Sequence, residues 1–159
     1  MKLYTLASII FLTLSACGTA DIATVRNGVS SGDNFDRALF ERYRKLALFE
    51  HDEMSDWNDA IYFAKRGIKA GAGVTPEATD LRQWFLSDDE TARLSAAREH
   101  LLDLLERGAR DGFPETAAEA QTSFDCWVEQ IEEGHQRNHI DACQQDFRVA
   151  TATLEEQLG

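Results

Sequence analysis

Four residues near the C-terminus have the types and spacing for either metal binding or crosslinking. Cys126, His135, His139 and Cys143 read C-x₈-H-x₃-H-x₃-C. Two thiolates and two imidazoles would complete a tetrahedral zinc site. The same two cysteines could instead form a disulfide. Gly134 and Asn138 punctuate a turn between them, and antiparallel helices joined there bring the two positions toward one level. Closing a loop of about 16 residues is worth about 3 kcal/mol in the chain-entropy model. The turn also puts the histidines where side chains are ordinarily solvated. The disulfide is therefore the leading reading, with no metal assigned, and zinc is the alternative. Carboxylates crowd the same stretch: Glu129, Glu132, Glu133 and Asp141. Their helical spacing sets most of them on solvated faces, where nothing shifts a pKa toward acid/base work. No Ser/His/Asp order, phosphate loop or lytic motif accompanies them. The sequence thus assigns no catalytic residue and no cofactor.

The third cysteine belongs to a different signal. Met1 to Ala16 reads as a secretory leader, with Lys2 as its positive end and Leu6–Leu14 as its apolar run. Nine apolar residues are too few to span a bilayer, which takes about 20. Leu14-Ser15-Ala16-Cys17 resembles a bacterial lipobox, which implies that Cys17 is lipidated and becomes the first mature residue. Gly18 follows where Asp would favour the inner membrane, so the resemblance implies an outer-membrane, periplasm-facing protein. That compartment keeps disulfides oxidised, which favours the Cys126–Cys143 bond. Residues 17–34 are small and polar with no sustained period, and read as a flexible lipidated tether. Residues 35–159 are then a single domain.

The elements that must hold these residues are all helical. Asp33 or Asn34 caps a first helix, on which Phe35, Leu39, Tyr43, Leu46 and Met54 make an apolar stripe. Acidic residues at 50–56 stop it, since a helix C-terminus disfavours negative charge. Ser55 or Asp56 caps a second helix, with Trp57, Ala60, Ile61, Ala64 and Ile68 on one face. This hairpin resembles a tetratricopeptide-type pair in Asp56-Trp57-Asn58-Asp59-Ala60 and Ala64, but no second copy follows. Residues 74–86 form a long connection broken by Pro76. Leu81, Trp84, Phe85 and Leu86 are expected to fold back on the bundle, and Trp84 with Phe85 doubles as the candidate binding surface. Ser87 and Glu90 form a capping box for a third helix with Leu94, Ala97, Leu101, Leu104 and Leu105 buried. Pro114 opens a fourth helix that carries Ala117, Ala118, Ala120, Phe124, Trp127, Val128 and Ile131. Asn138 caps a fifth, with Ile140, Cys143, Phe147, Ala150, Leu154 and Leu158. The expectation is an all-α bundle of about five helices, its last pair linked by a disulfide.

Phe124-Asp125-Cys126-Trp127, Glu129-Gln130, Ile140, Ala142-Cys143 and Phe147 resemble the helical N-terminal region of certain OmpA-family envelope lipoproteins of Gram-negative bacteria. The 57–64 patch and the lipobox fit the same pattern. The resemblance implies a cysteine pair and no metal role for the histidines. Those proteins continue into a peptidoglycan-binding domain that this sequence does not include, so peptidoglycan binding is not implied. The formal charge of −12 makes nucleic acid and bare anionic lipid poor partners. The functional expectation is a non-catalytic outer-membrane lipoprotein, a helical scaffold that meets another envelope protein. The alternatives are a periplasmic zinc-binding lipoprotein and, behind it, a cell-wall-active enzyme.

Overall fold

Three helix starts coincide with a short polar side chain that accepts from first-turn amides. Asp33 accepts from the Asp36 amide, and Asp56 from the amides of Asn58 and Asp59. The Ser87 hydroxyl accepts from the Glu90 amide, while the Glu90 carboxylate accepts from the Ser87 amide at 2.9 Å, completing the capping box. The computed structural model describes residues 13–159, with side chains from Gly18 onward. Residues 1–12 of the leader and the Cys17 side chain lie outside this description. Six helices result: α1 (Thr13–Asn27), α2 (Asn34–Phe49), α3 (Trp57–Gly71), α4 (Asp88–Leu104), α5 (Pro114–Glu133) and α6 (Arg137–Leu158). There is no strand among the described residues, so the protein is all-α with one helix more than expected. No described helix is long and apolar enough to cross a membrane.

The added helix is α1, which occupies most of the stretch expected to be a flexible tether. Ile22 and Val25, three residues apart, are both buried. Val25 fits against α3 at Gly67, where even a Cβ would come within 3.0 Å of its methyl group. Gly18 meets Ile61 of the same helix just as closely. Only residues 28–33 stay irregular, pinned where the Ser31 amide donates to the Gly71 carbonyl at 2.9 Å.

α5 runs through the middle of the bundle, with α2, α4 and α6 packed around it. Its small residues Ala117, Ala118 and Ala120 are fully buried and let neighbouring backbones approach. Further along, Phe124 and Trp127 meet Phe147 of α6, each with ring centroids 5.8 Å from it. Leu94, Leu101 and Leu104 of α4 cover another side. Each such side chain, fully buried, is worth about 1.5–3 kcal/mol relative to exposure. α2 and α3 pack on each other as the expected hairpin, and α1 packs on the outer side of α3. α2 runs into a wider π-type turn, Glu50–Met54, closed by Ser55 in the left-handed region (φ 60°). α5 ends at Gly134, whose φ of 72° lies in the left-handed region that favours glycine.

Two positions differ from the sequence pattern. Trp57 is 48% exposed rather than buried, because it sits at the first position of α3 and stacks edge-on with His51. The buried face of α3 is instead Ala60, Phe63, Ala64, Gly67 and Ala70. Asn138 is not the cap of the last helix, which begins one residue earlier with Gln136 in the cap position and no side-chain bond.

Candidate functional site

The cysteines form the disulfide. Cys126 on α5 and Cys143 on α6 are bonded, with their Cα atoms 5.8 Å apart, a distance typical of a bridge between antiparallel helices. Both thiols being consumed, the C-x₈-H-x₃-H-x₃-C alternative has no thiolate to offer zinc. His135 is exposed and His139 packs against Phe49.

The connection between α3 and α4 separates the two aromatic residues of the expected surface. Backbone at Trp84 is extended, so successive side chains point to opposite sides. Trp84 turns inward and meets Tyr62 edge-on, with centroids 5.2 Å apart. Phe85 turns outward and is 92% exposed, which corrects the expectation that it folds back on the bundle. Around them lies an open pocket of about 280 Å³, lined by Asp59, Tyr62, Gln83, Trp84, Phe85 and Glu132. Three aromatic rings and two carboxylates make it suited to a cationic group.

A buried ion pair holds that connection in place. The Arg66 guanidinium lies 2.7 Å from the Asp125 carboxylate, which is fully enclosed. Asp125 also accepts from the Tyr43 hydroxyl at 2.5 Å and from the Thr79 amide at 2.8 Å. Gln121 donates to the Tyr43 oxygen and to the Pro76 carbonyl. Every oxygen of Asp125 is thus used, which is the condition under which a buried pair is tolerated. Burial opposes the charge on Arg66, yet Asp125 beside it keeps the guanidinium protonated. Burial raises the Tyr43 hydroxyl well above its ordinary value. The network fixes residues 76–79.

At the far end of α5 and the start of α6, Glu132 and Asp141 are exposed, as the sequence reading expects of most of these carboxylates, but Glu129 is not. Glu129 is 0% exposed and Glu50, in the turn after α2, is 2% exposed. Asp56, Asp59 and Glu133 sit half-buried above them, with one carboxylate oxygen of each within 4.8 Å of the others. Burial, and then the charges of Glu50 and Asp59, push Glu129 up to about 9. Burial followed by Asp59, Glu133 and Asp56 lifts Glu50 to about 7. Asp59 rises to about 6 from burial and from Asp56. A raised pKa is often the mark of a catalytic acid. Glu129, however, opens onto other carboxylates and Gln130 rather than onto a cleft. In the sequence, Glu50 served only to stop the first helix, and Asp59 only as part of the tetratricopeptide-like patch. The signal that links them is tertiary, although Gln121, Asp125 and Glu129 at four-residue spacing do mark a polar stripe along α5.

Compared with family models, curated proteins and solved structures, the chain matches none.

Proposed function

We propose that this protein is a non-catalytic, lipid-anchored helical module of the Gram-negative envelope, which meets a partner protein through the pocket at Trp84 and Phe85. The carrying observation is Phe85, a large aromatic side chain standing 92% exposed beside a pocket floored by Tyr62 and Trp84. The capping box and the buried Asp125 network hold both ends of the segment, so little conformational freedom is lost on binding. Asp59 and Glu132 at its rim suit a Lys or Arg side chain, whose cation would rest on the rings. The Cys126–Cys143 bond fits an oxidising compartment. The lipobox at Leu14–Cys17 supports lipidation at Cys17 and, with Gly18, delivery to the outer membrane. An anchor replaces high affinity by effective concentration, so a shallow pocket is sufficient.

The test uses a photo-crosslinking residue at position 85 in the intact envelope, with position 149, also exposed, as control. A discrete adduct is expected from 85 only, and Glu132→Lys should remove it. Equal adducts from both positions, or none from 85, would sink the reading. Lipid labelling that survives Cys17→Ser would remove the anchor from it.

A further inference from the structure

We propose that the junction of α3 and α5 is a binding site for a hard divalent cation of the calcium class, with Asp56, Asp59 and Glu133 at its rim and Glu50, Glu129 and Gln130 beneath. The rim oxygens lie within 4.8 Å of one another. One ion centred among three such oxygens would lie at most about 2.8 Å from each, so a slight inward turn of the side chains reaches the 2.3–2.6 Å that calcium takes from oxygen. Asp56 uses Oδ1 to cap α3, and its carboxylate also lies within hydrogen-bonding reach of Asp59.

Two deeply buried groups below the rim want such a partner. Gln130 is 1% exposed, and its Nε2 donates to Glu129 at 3.0 Å and to Glu133 at 3.3 Å. Its Oε1, on the same head group, has no hydrogen-bond partner. The Glu50 carboxylate is 2% exposed, and its surroundings are the charges of Asp59, Glu133 and Asp56. Acceptors that face only acceptors are rare in folded proteins. A cation satisfies all of them at once.

Charge argues the same way. None of the five carboxylates forms an ion pair with a Lys, Arg or His among the described residues. Glu129 and Glu133 also occupy the C-terminal end of α5, where the helix carbonyls add further negative potential. An all-oxygen donor set selects hard ions over zinc or copper. Carboxylates drawn from separate elements suit the flexible coordination of calcium better than the strict octahedron of magnesium.

The full chain, freed of metal with a chelator and then dialysed, is titrated with Tb³⁺ under tryptophan excitation and separately with Ca²⁺ during thermal unfolding. Trp57 adjoins Asp56 and should sensitise terbium emission, which Ca²⁺ should displace. Ca²⁺ should also raise Tm by several degrees. In Asp59→Asn/Glu133→Gln both responses should vanish, while the metal-free Tm equals or exceeds that of the wild type because like charges have been removed. That unchanged Tm shows that the variant folds. Glu129→Gln should weaken Ca²⁺ binding by about 10–100-fold, as loss of a supporting group does. The proposal is overturned if Ca²⁺ up to about 10 mM, beyond the range of extracellular calcium modules, leaves the wild-type Tm unmoved. It is equally overturned if the double variant responds as the wild type does, which would mean diffuse screening of the acidic surface.

Discussion

Replacing Glu129 by Gln separates the energy of its proton from the energy of its packing. The two side chains have nearly the same shape, and Gln can still accept from the Gln130 amide. Glu129 faces Glu50 from the turn after α2, Asp59 from α3, and Gln130 and Glu133 from its own helix. Burial and these charges raise its pKa from an ordinary 4.5 to about 9. The folded protein therefore holds this proton more tightly than the unfolded chain does. Stability is fully retained below about pH 4.5 and falls as pH rises toward 9, by about 1.4 kcal/mol per unit. At pH 7 the interval is about 2.5 units, so the wild type should be about 3 kcal/mol less stable on this account than at pH 4.5. Gln does not ionise. Glu129→Gln should match the wild type near pH 4.5, exceed it by about 3 kcal/mol at pH 7, and by about 5 kcal/mol at pH 8.5. Urea unfolding followed by circular dichroism, with the disulfide intact and a chelator present, measures this at the three pH values. A difference between the two proteins that stays constant from pH 4.5 to 8.5 would refute the reasoning.

Asp125→Ala should cost about 3–5 kcal/mol, because it strands Arg66 as an uncompensated buried charge; adding Arg66→Leu should recover much of that loss in the same unfolding assay. Cys126→Ser/Cys143→Ser should lose about 3 kcal/mol, and alkylation of the native wild-type protein should label neither cysteine. Leu94→Ala should destabilise by about 2–5 kcal/mol, whereas Phe85→Ser should stay within about 0.5 kcal/mol. A large loss for Phe85→Ser would show that the exposed ring is packed in solution.

Local punctuation was the most legible part of the chain. Asp33, Asp56, the Ser87–Glu90 box, Pro114 and Gly134 each act on their own turn, so their types alone place helix ends. The cysteine pair was legible for the same reason, since the turn between them is local. α1 was not, because Ile22 and Val25 are the buried apolar residues among its described side chains, and the partner of Val25, Gly67, lies forty-odd positions away. Glu129 was misjudged through its type. A carboxylate on a helix is usually solvated, but α5 is enclosed by three other helices, a fact of tertiary packing. Phe85 failed in the opposite sense: residues 84 and 85 were treated as one apolar patch, whereas an extended backbone sends them to opposite sides.

The place of α5 in the chain governs when the protein can fold during synthesis. Tyr43 must wait for Asp125, which is 82 residues downstream. At about 5–20 residues per second that is a delay of roughly 4–16 s. Until then the α2–α3 hairpin lacks α5, which completes the enclosure of Leu39, Tyr43 and Phe63. The nascent chain therefore stays open and adhesive for most of its length. Under the proposed export route, which carries chains across the membrane unfolded, a core completed only by its penultimate helix keeps the chain in that condition.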